Sequence, residues 1–300
     1  MKRKTQLKSI LYISMALFCS RYVFAETWTT LDKSGASETE ALSIDGSNIV
    51  GWYQQNDTDH GFLYDGTTWT PLDAPGAQHT YATGISGNNI VGCYRDSSNV
   101  VRGFMLNGSD WETLEAPGAS ATHITGVDGS RICGYYIDSS EHNHGFIYDG
   151  QTFMSITSPG LSDTWVTGIF GNEILGIGTM YGSFSYDYVE ETWTLIEMSD
   201  ENPVYLIDSD GSKIVGWESI PSGEQGIIYD GSTWTTLNMP GAISTKAWGI
   251  YGDNIVGSYR DSAFHNHGFI YIPEPATILL LGLGALITKS FKLKNQNHNC

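Results

Sequence analysis

The sequence predicts an all-β protein built from six repeated four-stranded units, and three observations predict it. Composition is the first: 35 Gly, 9 Trp and 17 Tyr with only 16% charged residues suit a turn-rich sheet protein better than a helical or disordered chain. The second is a glycine that recurs in NIVGW, NIVGC, RICGY, EILGI, KIVGW and NIVGS, at positions 51, 92, 134, 176, 216 and 257. The third is an aromatic residue, Trp28, Trp69, Trp111, Phe153, Trp193 or Trp234, that stands 23 residues before each of those glycines. A period of 40 to 42 residues with a fixed internal interval is the mark of a structural repeat.

Each period divides into four short, β-rich apolar runs bounded by turn signals, here termed a to d. In the second copy they are TYATGIS, NIVGCY, RGFML and DWETLE. Turns such as SGNN, DGSR and YGDN join a to b. Asp65-Gly66, Asn107-Gly108, Asp149-Gly150 and Asp230-Gly231 join c to d, dipeptides that supply the positive φ of a tight hairpin. Pro-Gly-Ala at 75–77, 117–119 and 240–242 leads from d into the next copy. Four antiparallel strands per unit of about 41 residues is the rhythm of a β-propeller blade. The chain begins with a d strand around Trp28 and ends with a c strand, HGFIY, that has no d strand after it. The amino-terminal strand therefore completes the last blade, and 26–272 is expected to form a closed six-bladed β-propeller in which the c strand of the shared blade is not left unpaired.

The two ends carry different information. Lys2, Arg3, Lys4 and Lys8 precede an apolar run and then Val23-Phe24-Ala25, so 1–25 is expected to be a secretory signal cleaved between Ala25 and Glu26. Between Glu26 and Pro275 stand seven basic and 33 acidic residues, net −26. Such a field repels nucleic acid and favours solubility. Cys93 and Cys133 are the only cysteines of this segment, one residue after and one before a marker glycine. Both offsets are odd, so the thiols point the same way round a ring rather than toward each other, and no disulfide is expected.

Two resemblances rest on particular residues. The HGF-x-YDG and DAPGA stretches between Trp28 and Tyr271 resemble the HAF family of bacterial extracellular repeats, with blade four departing most through GSFSYDY. Pro273-Glu274-Pro275, the apolar run from Ala276 to Ile287 and the lysines 289, 292 and 294 resemble a PEP-CTERM sorting signal over 273–294, with 295–300 as a tail. The second resemblance implies a short hydrophobic C-terminal helix, a transient inner-membrane anchor, an exosortase as partner, and delivery to the cell surface or extracellular matrix of a Gram-negative bacterium. Carbohydrate binding and a place in a biofilm matrix follow as expectations.

For chemistry, repeat length varies only between b and c, and variable loops on a fixed scaffold commonly carry binding. The candidate ligand-binding residues are Tyr53, Asp57, Asp59, Tyr94, Asp96, Tyr136, Asp138, Glu141, His142, Tyr259, Asp261 and His265, in or beside those loops. The tyrosines recur two residues after the marker glycine in four of the six copies, a pattern that describes core residues better than ligands. His142 with His144, and His265 with His267, have a spacing a divalent metal uses, yet His before Gly-Phe is also a repeat consensus. No cofactor is expected, a divalent cation being the one alternative. No Ser-His-Asp spacing, phosphate loop or cysteine pair points to catalysis. The expectation is a non-enzymatic binding propeller that contacts polysaccharide or another envelope component, and the alternative is a glycan-active hydrolase or lyase on the same fold.

Overall fold

A computed structural model describes residues 27–159, 162–178, 182–196 and 202–273. The expected secretory segment, the sorting segment beyond Pro273 and its helix lie outside the described residues, which contain strands and turns but no helix. The chain opens with β1 (Thr27–Leu31). Blade one is β2 (Glu38–Asp45), β3 (Asn48–Gln55), β4 (Thr58–Tyr64) and β5 (Trp69–Leu72). Blade two is β6 (His79–Ser86), β7 (Asn89–Arg95), β8 (Val101–Asn107) and β9 (Asp110–Leu114). Blade three is β10 (Ala121–Asp128), β11 (Arg131–Ile137), β12 (Asn143–Tyr148) and β13 (Phe153–Ile156). Blade four is β14 (Thr164–Phe170), β15 (Glu173–Gly178), β16 (Ser183–Asp187) and β17 (Thr192–Ile196). Blade five is β18 (Val204–Ser209), β19 (Ile214–Ile220), β20 (Gly223–Tyr229) and β21 (Trp234–Leu237). Blade six is β22 (Ser244–Tyr251), β23 (Asn254–Arg260) and β24 (Asn266–Ile272), completed by β1.

Closure is as the half-repeats require: β1 pairs antiparallel with β24, Thr27 opposite Ile272 and Leu31 opposite Gly268. The first strands of the six blades, β2, β6, β10, β14, β18 and β22, touch one another in a complete ring and form the inner wall. The molecule is a six-bladed β-propeller.

The marker glycine has a steric cause. An added Cβ would stand 2.0 Å from the Glu40 carbonyl oxygen at Gly51, 2.0 Å from that of Tyr81 at Gly92 and 1.9 Å from that of Tyr205 at Gly216. Strands a and b approach this closely because each a strand carries a bulge opposite the glycine, between Ala41 and Ser43 in blade one and between Ala82 and Gly84 in blade two. The marker aromatic has a packing cause, since each lies against the buried c-strand side chain of its own blade, an aromatic ring in five blades and Ile227 in blade five. Ring centroids are 4.7 Å apart for Trp69 and Phe62, 4.9 Å for Trp111 and Phe104, and 5.2 Å for Phe153 and Phe146. In the shared blade Trp28 of β1 meets Phe269 of β24 at 5.0 Å, so the closing strand repeats the contact of a continuous hairpin.

The core lies between blades. Val50 and Leu72 of blade one pack with Ala82, Tyr94 and Phe104 of blade two, and the same pattern carries round the ring. The d-to-a connections are fixed by a buried threonine whose Oγ1 accepts a backbone N–H six residues upstream, as from Ala74 to Thr80 and from Ala116 to Thr122. Cys93 and Cys133 are both free thiols, Cys133 wholly buried, and burial pushes each up to about 12.

Candidate functional site

Strands alternate direction, so the a–b and c–d turns lie on one face of the disc and the b–c loops and d–a connections on the other. On the loop face the structure gives the predicted residues mostly structural partners. Tyr53 and Tyr94 are buried, while Tyr136 and Tyr259 are half-buried. Three of these tyrosines stack on the histidine before Gly-Phe: Tyr53 on His60, Tyr136 on His144 and Tyr259 on His267, with centroids 5.3, 5.1 and 5.0 Å apart. Each histidine is held by a carboxylate, His60 by Asp73 at 3.0 Å, His144 by Asp138 at 3.0 Å, and His267 by Asp32 at 2.9 Å and Asp261 at 3.3 Å. In blade two Arg102 stands in the histidine's place and reaches Asp96 and Glu115.

The loop aspartates divide their oxygens. Oδ1 of Asp138 accepts the N–H groups of Ser140 and His142, closing the loop, while Oδ2 faces His144. Hydrogen bonds from His144 and from those amides hold Asp138 down at about 2. Asp96 and Asp261 follow the same plan, with Ser98 and Val100, and with Ala263 and His265, as donors. Asp59 accepts from Gln54 and from the Tyr81 hydroxyl. Asp57 and Glu141 are exposed loop residues with φ of +61° and +68°. His142 and His265 are exposed and precede β12 and β24, so neither shares a strand with the histidine two residues on. Among the described residues no three His, Cys, Asp or Glu side chains come together as a metal site.

A cavity of about 590 Å³ is formed instead by the central channel, opening on the turn face. Its wall follows from the bulges. The residue nine before the marker glycine, Leu42, Thr83, Thr125, Thr167, Ile207 or Trp248, is the bulged residue of its a strand and lines the channel. Thr83, Thr125 and Thr167 each donate to a carbonyl of the next blade, those of Ile124, Val166 and Leu206, at 2.8, 2.9 and 2.7 Å. Small residues follow: Gly84, Gly126, Gly168 and Gly249 let neighbouring a strands approach, and a Cβ at Gly168 would stand 2.3 Å from the Ile207 carbonyl oxygen. Blade five has Asp208 at this level, its carboxylate accepting the N–H of Ser209 and that of Ile250 from blade six. Burial pushes Asp208 up to about 6 against those two hydrogen bonds.

At the mouth, six before the marker glycine, stand Asp45, Ser86, Asp128, Phe170, Asp210 and Tyr251. The three aspartates fall on alternate blades. Asp45 accepts the Gly87 N–H and Asp128 that of Gly171, each from the next blade, and Ser86 does the same for Gly129. Asp128 also pairs with Arg131 at 2.7 Å. Phe170 and Tyr251 are 43% and 50% exposed, so the rim offers two aromatic faces to solvent. Deeper in the channel are Trp52 and Glu40. Burial pushes Glu40 up to about 7, with Lys246 pulling the other way, and Asn266 donates to its Oε1 at 3.1 Å.

None of these channel residues was a candidate from the sequence, because each repeat varies there. The signal that would have found them is the tabulation of positions nine and six before the marker glycine, which the repeat register brings together around the channel.

Comparison with known proteins adds two findings. Residues 272–292 match the PEP-CTERM protein-sorting motif. That motif implies processing by an exosortase, with export and anchoring at the membrane before sorting to the cell surface. Among solved structures, the β-propeller domain of the Trilobed protease from Pyrococcus furiosus is similar at TM-score 0.52 and 11% identity, over 80% of this chain and 96% of that one. The Aleuria aurantia lectin in complex with α-methyl-L-fucoside gives TM-score 0.50 at 15% identity, over 83% and 99%. AofleA from Arthrobotrys oligospora gives TM-score 0.53 at 12% identity, over 83% and 88%. At such identities the likeness is one of fold. No curated protein sequence matches the chain.

Proposed function

We propose that this chain is an exported, exosortase-sorted propeller that serves at the cell surface or in the extracellular matrix as a binding module, contacting exopolysaccharide or another envelope component. The observation that carries this reading is a sorting motif at 272–292 joined directly to a closed ring whose last strand ends at Ile272. A secretory segment at 1–25, the HAF-like character of the repeats and a Gram-negative host belong to the same reading. The lectins among the proteins of similar fold support a binding role, and the channel is the candidate place for it. One observation favours a second reading: a carboxyl raised to about 7 beside Trp52 in a cavity is a suitable general acid for glycan cleavage. Incubating the purified propeller with exopolysaccharide separates the two. Retention of intact polymer is expected, whereas shortened chains identify an enzyme and neither retention nor cleavage removes the glycan reading.

A further inference from the structure

We infer that the central channel is a recognition well for an alkylammonium group, and that it rejects carboxylate-bearing ligands. The inference rests on the reading of the propeller as a binding module and names the ligand chemistry of that module.

Size comes first, since about 590 Å³ lies within the range of small-molecule sites. The lining residues include five carboxyl groups, those of Glu40, Asp45, Asp128, Asp208 and Asp210, and no lysine, arginine or histidine. Arg131 offsets one of these carboxylates, Asp128, while Lys213 is held by Asp253 at 2.5 Å and Lys246 by Glu224 at 2.8 Å, which leaves Glu40, Asp45, Asp208 and Asp210 without an ion pair. The well is therefore a region of negative potential walled by protein, which concentrates cations and excludes anions.

The spacing of the acids decides which cation. Asp45, Asp128 and Asp210 stand on alternate blades around the mouth, and no three acidic or histidine side chains among the described residues meet as a metal site. A compact, strongly hydrated divalent ion needs several oxygens at about 2.3 Å, which this spread arrangement lacks. An organic ammonium needs only diffuse negative charge and π faces. The π faces are supplied by Trp52 and Trp248 in the wall and Phe170 and Tyr251 at the rim. The protein's own Lys246 illustrates the preference, its ammonium standing 4.4 Å from the Trp217 ring centroid and 5.7 Å from that of Trp248. The bulged threonines spend their donors on carbonyl groups of the next blade, so the middle of the well offers apolar contact and hydroxyl oxygens rather than free N–H groups for an anion.

An amine of this kind reaches the cell surface on a de-N-acetylated amino-sugar polymer or as a free polyamine. Calorimetric titration of the purified propeller at pH 7.5 and low salt with glucosamine oligomers, their N-acetylated counterparts, a uronic-acid oligomer and spermidine tests the well. The free-amine oligomers are expected to bind at least 10-fold more tightly than the N-acetylated ones, to weaken as salt is raised, and to lose at least 10-fold in the double variant Asp45→Asn, Asp210→Asn. Asparagine keeps the acceptor oxygen that each carboxylate gives to the turn, so the variant is expected to melt like the parent. Spermidine binding with the same dependence on Asp45 and Asp210, without oligomer binding, supports the well and assigns the polyamine as its source. Equal affinity for acetylated and free amines, tight binding of the uronic-acid oligomer, or indifference to the double variant overturns it. Should the double variant still retain exopolysaccharide while no amine binds the parent, the well fails and the broader binding function stands.

Discussion

At the scale of single residues, the repeat is written in positions where one side chain is sterically compelled. Gly92 illustrates this, because an added methyl would sit 2.0 Å from the Tyr81 carbonyl oxygen and neither strand of the bulged pair can retreat without losing ladder bonds. Gly92→Ala is expected to cost about 2 kcal/mol or more. Gly66→Ala, in a c–d turn with φ of +96° and open space around it, is expected to cost about 1 kcal/mol from backbone strain alone. Urea melts of the two variants check the ordering, and equal costs would show that the marker glycine is there for its backbone freedom rather than for its missing side chain. Glu40 gives a second residue-scale expectation. Its carboxyl stands at 4.5 when unperturbed and about 7 in the fold, raised first by burial. Between those values the folded chain holds a proton that the unfolded chain releases, so this group's contribution makes stability fall as pH rises from about 4.5 to about 7. Glu40→Gln is expected to remove that slope and to raise the melting temperature relative to the parent above pH 7, by at most about 3 kcal/mol in stability. Parallel melting curves for parent and variant across this range would show that Glu40 stays ionised.

Among elements, β1 matters out of proportion to its five residues. It supplies the outer strand of blade six, covers the edge of β24 and places Trp28 on Phe269 and Tyr271. Trp28→Ala is expected to destabilise by roughly 3 to 5 kcal/mol. Trp111→Ala, which removes the same contact from a blade whose hairpin is continuous, should cost a similar amount if closure is as tight as an ordinary hairpin. A much smaller loss at Trp28, read by thermal denaturation, would mean that the ring opens at blade six in solution. Strand identity and closure were legible in the sequence because they depend on local chemistry: Asp-Gly turns, a 23-residue interval and two complementary half-repeats. The channel was not legible for the opposite reason. Its wall is made of one bulged residue from each of six strands about 41 positions apart, and Leu42, Thr83 and Trp248 share a level only once the ring is built. The loop residues Asp96, Asp138 and Asp261 were candidate ligands because the b–c connections that hold them vary in length. In the fold their Oδ2 atoms meet Arg102, His144 and His267, and their Oδ1 atoms accept loop N–H groups.

At the largest scale, residues 27–273 form a ring whose six junctions are similar in plan, and where the chain happens to be cut is therefore a weak determinant of its stability. Tyr271 and Trp28 pair across the closing blade as Tyr64 and Trp69 pair within blade one, and both chain ends of the ring lie side by side on the turn face. A permuted chain in which Tyr271 runs to Trp28 through Asp-Gly-Thr-Thr, the linkage between Tyr64 and Trp69, rebuilds an ordinary c–d hairpin in blade six. Opening it between Asp149 and Gly150 moves the shared blade to blade three, where β13 becomes the amino-terminal strand and Phe153 on Phe146 becomes the closing contact. Termini that are adjacent and exposed turns that carry few contacts are the conditions under which permutation succeeds. The permutant is expected to unfold in one transition within a few degrees of the parent, since a change of about 1 kcal/mol moves a domain of this size by about 2 to 4 °C. It is also expected to bind amines as the parent does, because β2, β6, β10, β14, β18 and β22, which build the well, are untouched. A permutant that folds but has lost the well would show that the inner ring depends on which blade is closed by two ends, and the six junctions would then be alike in topology but unequal in the tension they bear.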